Sequence, residues 1–237
     1  GEFVVEQPTG VIVLVYPLQL RARPSEALIR VLEREYEVLL VDAPRRVSFE
    51  EHQQLLKEAL REAGKRKLPI HIIACSMGAL VVNRLLQEYE LPMASLTFIS
   101  PLFDWHNSKQ LGGVKQVFAS AFDRFRPDAP LGTLPFGQNN EDAARLGELT
   151  YAEYREIEEE IVIHDEERKK LPRVHLACFY APDDQFADVK LTLEVCRKMG
   201  GDQIYLQRLH GFPHFSFERL NTRFAEKLLL FLKMVED

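Results

Sequence analysis

Few features of this chain supply a covalent or metallic framework. Its 237 residues include three cysteines, Cys75, Cys178 and Cys196, too few and too scattered for a disulfide scaffold or a zinc site. All three lie in apolar runs, where a free thiol behaves as a small buried hydrophobe, so a reducing, cytoplasmic setting is expected. No histidine pair has metal-ligand spacing and no Gly-x-Gly-x-x-Gly or other phosphate-cradling loop occurs, so neither a metal nor a nucleotide cofactor is expected. Long apolar runs are absent too. None approaches the roughly 18 residues that span a bilayer, and no signal peptide is visible, although Gly1-Glu2-Phe3 resembles a cloning remnant that leaves open a preceding segment. Positive charge is in deficit, with 30 Lys and Arg against 36 Asp and Glu for a net charge of −6. That balance argues against a nucleic-acid face, because phosphate binding needs clustered cations. The small basic groups Arg21/Arg23, Arg45/Arg46 and Lys65-Arg66-Lys67 read as solvated loops and helix ends. Nothing in the chain specifies an oligomeric state.

What the chain does have is apolar material, 46% of its residues, cut into short runs. Val11 to Tyr16 is a continuous β-branched run closed by Pro17, as expected of a strand buried on both faces. A helix follows from about Ser25, with Leu28, Leu32 and Tyr36 spaced for one face, and then a strand over Tyr36 to Val41. Ser48 and Glu51 form a capping-box pattern opening a helix with Leu55, Leu56, Ala59 and Leu60 on one side, closed by Gly64. Ile70 to Ala74 predicts the third strand, Leu96 to Ile99 the fourth, Val174 to Tyr180 the fifth and Ile204 to Leu209 the sixth. Helices carrying Val82, Leu85, Leu86 and Tyr89, and Leu191, Val195 and Met199, follow the third and fifth strands, and Gly200-Gly201 stops the latter. The last helix is expected from near Ser216, presenting Phe217, Leu220, Phe224, Leu228 and Phe231. This alternation predicts an α/β fold with a mostly parallel central sheet and helices on both faces.

One interval breaks the rhythm. Residues 102–172 hold no clear buried strand but contain Pro127, Pro130 and Pro135, a polar turn at Gly137-Gln138-Asn139-Asn140, and a helical pattern with Tyr151, Tyr154, Ile157 and Ile161 on one side. An interval of that length inside a domain is expected to be an insertion with its own helices. The organisation is therefore a core of 1–101 and 173–237 interrupted by a helical insertion over 102–172. The acidic run from Glu156 to Glu167 reads as a solvated helical face.

The candidate chemistry begins at Ala74-Cys75-Ser76-Met77-Gly78, small-x-Ser-x-Gly between an apolar strand and an amphipathic helix. A serine hydroxyl must stand clear of the backbone to attack a carbonyl, and a sharp strand-to-helix turn with small neighbours presents it. The helix N-terminus also turns N–H groups toward developing negative charge. Phe179-Tyr180-Ala181-Pro182-Asp183-Asp184 places carboxylates just past the end of a predicted strand. Gly211-Phe212-Pro213-His214-Phe215 places an imidazole between the last strand and the last helix. Serine, acid and histidine thus follow one another in the order Ser…Asp…His, each at a strand's carboxyl end, where loops of an open α/β sheet converge. Asp183 competes with Asp184 for the acid, and His210 with His214 for the base. His71 and His175 sit at strand starts and read as structural, and His106 and His164 as surface residues of the insertion.

These motifs resemble those of the α/β-hydrolase superfamily, and the resemblance extends from Val11 to the final helix. It implies Ser76 as nucleophile, Asp184 as acid and His214 as base, with residues 102–172 as a helical cap over the site. It also implies an oxyanion hole from the Met77 N–H and, since the family's His-Gly pair reads Tyr16-Pro17 here, from the Leu18 N–H. Ala74 replaces the first glycine of the turn, and the usual leading hairpin is reduced or missing. Leu102, Phe103, Trp105, Phe118, Phe122, Phe125 and Phe136 offer an apolar supply suited to an acyl chain, with Trp105, Phe103 and Phe122 the candidate substrate contacts; burying the cap against the core is the alternative use. The implied activity is hydrolysis of carboxylic esters, with a small-molecule acyl ester as substrate. A thioesterase or acyltransferase acting on carrier-bound acyl groups would use the same residues. A non-catalytic binding protein on the same fold is the alternative that the missing His-Gly pair favours.

Overall fold

The computed structural model describes residues 6–106, 126–131 and 141–237. Phe118, Phe122, Phe125 and Phe136, and the turn at 137–140, lie outside the described residues. Among those described, six strands form one sheet: β1 (Gly10–Val15), β2 (Tyr36–Leu40), β3 (Ile70–Cys75), β4 (Ser95–Ile99), β5 (Leu176–Tyr180) and β6 (Tyr205–Arg208). Their order is β2-β1-β3-β4-β5-β6, and every neighbouring pair is parallel. The four inner strands bury every residue, whereas the edge strands β2 and β6 are half-exposed. That difference is what continuous β-branched runs in the middle and mixed runs at the edges encode.

The helices joining the strands are α1 (Glu26–Leu32), α2 (Phe49–Gly64), α3 (Met77–Glu88) and α6 (Val189–Gly200), with α4 (Glu141–Gly147) and α5 (Tyr151–Glu167) in the β4–β5 interval and α7 (Thr222–Glu236) at the end. Parallel crossovers are right-handed. The step from β1 to β2 runs opposite to all later steps, so α1 covers one face of the sheet and α2, α3 and α6 the other. α7 packs on α1, and α2 on α3. Because the chain leaves β1 toward β2 and returns on its other side as β3, the loops after β1 and β3 part to opposite faces and open a crevice at the carboxyl edge.

Helix boundaries follow local chemistry, in places against the sequence expectation. Ser25 caps α1 through the Leu28 N–H, but α1 stops at Leu32 and Tyr36 opens β2. The inward face of α2 is Phe49, His52, Leu56, Leu60 and Ala63. The final helix does not start near Ser216. His214–Arg219 forms a 3-10 turn that buries Phe215 and Phe217, and α7 starts at Thr222, where the Asn221 side chain accepts from Phe224 N–H.

In the β4–β5 interval Tyr151, Tyr154, Ile157 and Ile161 are buried as the spacing predicts, behind a complete capping box at Thr150 and Glu153. The acidic run is not simply solvated. Glu156 accepts the Phe49 N–H at 2.9 Å, Glu160 and Glu167 face Arg84 at 3.6 and 3.1 Å, and burial raises the carboxyls of Glu156 and Glu160. α5 therefore turns its carboxylates partly toward the core, using them to bind α2 and α3.

Candidate active site

The strand-to-helix turn after β3 is backbone-driven. Ser76 adopts φ 50°, ψ −122°, a region costing a non-glycine residue about 1–3 kcal/mol. Both its backbone groups are anchored at the end of β4: Ser76 N–H donates to Ile99 at 3.1 Å, and Leu102 N–H donates to the Ser76 carbonyl at 3.0 Å. Gly78 makes the turn possible. A Cβ there would lie 2.6 Å from the Val15 carbonyl oxygen of β1, so α3 can pass over β1 only without a side chain.

The loop after β5 carries Asp184. Its Oδ1 accepts the N–H groups of Phe186 at 2.8 Å and Ala187 at 2.9 Å, and its Oδ2 faces His214 Nδ1 at 2.7 Å. Burial by itself would raise this carboxyl. The charge and hydrogen bond of His214 and the two backbone N–H groups outweigh it, and the carboxyl is held below its ordinary value. The segment after β4 braces the loop: His106 N–H donates to Phe186 and Asp188 N–H to Asp104, both at 2.9 Å.

His214 enters from the 3-10 turn after β6. Its Nε2 lies 2.6 Å from Ser76 Oγ. Phe186 stacks on its ring at 4.6 Å, and Phe215 meets it edge-on at 5.2 Å. Ser76 and His214 have no exposed surface and Asp184 is 5% exposed, so the array is screened from water. An imidazole whose Nδ1–H is fixed on a buried carboxylate presents Nε2 as an acceptor, and a serine hydroxyl at that nitrogen can give up its proton as it attacks.

Three remote stretches therefore meet in one place. Asp183 and His210 are exposed, and Asp184 and His214 make the contacts. The Val15–Ala74 register starts the loops after β1 and β3 side by side, with Leu18 in one and Met77 in the other. Among the described residues neither the Leu18 nor the Met77 N–H has a hydrogen-bond partner. Phe103 is packed between Phe98 and His164, stacked on the latter at 4.8 Å. Trp105 lies one ring from the imidazole, edge-on to Phe186 at 5.1 Å, with Tyr154 stacked on it at 5.6 Å.

The other histidines divide. His71 bonds Ser95 and Glu236, away from the site. His106 is exposed. His164, expected at the surface, is buried, faces Asn83 at 3.1 Å, and is pushed down to about 4 by burial and by Arg168. Sequence reasoning missed Phe186, which covers the imidazole, and the buried pair Gln19 and His52, whose side chains meet at 3.1 Å. The available signal for His52 was its place on the apolar stripe of α2. Among the described residues no three His, Cys, Asp or Glu side chains group as a metal site, and no helix is long and apolar enough to cross a membrane.

No family model matches the chain, and no curated protein sequence matches it significantly. Solved structures do. A soluble variant of monoglyceride lipase from Saccharomyces cerevisiae, in complex with a substrate analogue, superposes with a TM-score of 0.67 at 15% identity over 98% of this chain and 86% of that one. The monoacylglycerol lipase of Paleococcus ferrophilus gives 0.66 at 15% identity over 98% and 95%. A lipase in its open form gives 0.72 at 14% identity over 98% and 92%. With a six-stranded parallel sheet and superposition over 98% of its length on these structures, this chain has the α/β-hydrolase fold.

Proposed function

We propose that the protein is a serine hydrolase that cleaves carboxylic acyl esters through a covalent acyl-enzyme on Ser76. The observation that carries this reading is the continuous chain from Ser76 Oγ to His214 Nε2 at 2.6 Å and from His214 Nδ1 to Asp184 Oδ2 at 2.7 Å. His214 takes the Ser76 proton as Oγ attacks the ester carbonyl, then returns it to the departing alkoxide. A water enters and attacks the acyl carbon as His214 removes its proton, and His214 returns that proton to Ser76 Oγ as the acid leaves. Asp184 keeps the imidazole in the productive tautomer and stabilises its charged form. The N–H groups of Met77 and Leu18 receive the oxyanion, each worth about 2.7–4 kcal/mol of transition-state stabilisation where such donors have been removed. The lipase names borne by the superposed structures agree with this choice of substrate class.

Residues 102–172 serve in this reading as the cap, with Trp105 as a wall of the acyl site. Two links support it. Arg145 of α4 holds Glu218, in the turn that carries His214, through both carboxylate oxygens at 2.9 and 2.7 Å, and its guanidinium lies 5.3 Å over the Phe215 ring. Phe103 sits behind this wall, packed into the core.

A fluorophosphonate probe tests the proposal directly. Folded wild-type protein should be labelled on Ser76 and Ser76→Ala should not; an unlabelled wild type would refute it. Parallel p-nitrophenyl ester and acyl thioester panels then assign the leaving group.

A further inference from the structure

The loop after β1 is built unlike the turn after β3. Pro17 lies at φ −71°, ψ 93° and opens a 3-10 turn over Leu18–Leu20. That turn is closed by Leu20 N–H and Ala22 N–H on the Pro17 carbonyl at 3.2 and 3.4 Å. The direction of the Leu18 N–H is that of the Pro17–Leu18 peptide plane, which the Pro17 ψ and this turn set. Side chains tie the loop down on both sides of that peptide. Tyr16 OH donates to Asp42 Oδ1 at 2.9 Å. Gln19 meets His52 Nδ1 of α2 with its amide nitrogen at 3.1 Å and its amide oxygen at 3.3 Å. Both Gln19 and His52 are buried, at 3% and 0% exposure.

We propose that the Gln19–His52 pair is a positioning device that aims the Leu18 N–H at the oxyanion. The claim rests on the hydrolase reading above and adds to it residues that touch no reacting atom. The pair is an expensive way to fill space. His52 Nδ1 can make one of its two contacts at a time, and among the described residues buried His52 Nε2 has no partner, a state an apolar pair of like shape would avoid. What an apolar pair lacks is direction. A hydrogen bond between two buried side chains fixes the turn about its axis, and a donor misplaced by a fraction of an ångström stabilises a developing charge far less. His52 suits the task because burial pushes its pKa down to about 3, so the pair keeps one charge state throughout the working range.

The test compares kinetics with stability in the full chain, using p-nitrophenyl butyrate as probe substrate. Gln19→Met and His52→Leu remove the bond and retain bulk. The expected result is a fall in kcat of about 10–100-fold, short of the 10²–10³-fold cost of deleting a donor, with KM within about twofold and the unfolding midpoint unchanged or higher. His52→Gln, which can still bond Gln19, should restore kcat to within about threefold of wild type. Gln19→Asn keeps the amide but shortens its reach, and serves if the apolar variants do not fold; the same selective loss of kcat is expected. Wild-type kcat in folded Gln19→Met or Gln19→Asn would overturn the proposal. So would a His52→Gln variant as slow as His52→Leu. A wild type that neither labels nor turns over the ester would instead refute the hydrolase reading itself, so the two failures are told apart.

Discussion

The two loops that flank the crevice, after β3 and after β1, begin side by side yet are held by different means. The turn after β3 stores its geometry in the backbone: a strained Ser76, two backbone hydrogen bonds to the end of β4 and a neighbouring strand that excludes any side chain at Gly78. The loop after β1 stores its geometry in side chains, through Tyr16–Asp42 and Gln19–His52. Backbone-held geometry follows from a five-residue pattern and tolerates little change. Side-chain-held geometry depends on residues 26 and 33 positions away and can be detuned without unfolding the chain.

This contrast orders the expected effects. Ser76→Ala removes the proposed nucleophile and should lower ester turnover on the order of 10⁴–10⁶-fold with the fold intact; steady-state assay beside a thermal melt checks both halves. Asp184→Asn leaves the two backbone N–H bonds available but favours the wrong imidazole tautomer, and a loss of about 10⁴-fold in kcat is expected. Gly78→Ala strikes the backbone-held turn. With Val15 O 2.6 Å from the new Cβ, either α3 or β1 must move, and stability should fall by about 1–3 kcal/mol together with activity, in contrast to the kcat-only loss expected at Gln19. A Gly78→Ala protein with wild-type melting and kcat would erase the distinction between the loops.

The last expected effect is on stability alone and separates the candidate site from packing elsewhere in the chain. His164 is held neutral, down at about 4, while an unfolded histidine titrates near 6.5. Between those values the unfolded chain binds the extra proton, so stability is full above about pH 6.5 and is lost as pH falls toward 4. The drop is on the order of 2–4 kcal/mol for a shift of this size. His164→Gln, which can still meet Asn83, should lessen the slope of that part of the stability–pH curve in denaturant titrations, leaving the share that buried His52, pushed down to about 3, contributes in the same window. A variant as acid-sensitive as wild type would assign the effect elsewhere. The depressed Asp184 carboxyl acts in a lower window. Its contribution is complete above the ordinary carboxylate range and is lost only as pH falls through its lowered value.

Much of the architecture was legible because local rules and the fold agree. Continuous β-branched runs marked the inner strands, and Ser25 and Ser48 sit at helix starts. Ser76, Asp184 and His214 were legible because each follows a strand, and a parallel sheet gathers strand ends along one edge. Where the expectation failed, a distant partner had intervened. His164 and the acidic face of α5 are drawn inward by Asn83, Arg84 and Phe49 N–H, none of them near in sequence. The start of the last helix was misplaced because Phe215 and Phe217 pack into the core from a 3-10 turn before Asn221 caps α7.

By itself, then, the sequence determined the parallel sheet, the strained serine turn and the chain order of serine, acid and histidine, since these arise from periodicity, small residues at set offsets and the handedness of crossovers. Only the tertiary structure decided that Asp184 rather than Asp183 meets His214, that Phe186 covers the imidazole, and that Gln19 finds His52. Those choices turn on ångström-scale direction between segments far apart in the chain, which no local pattern carries.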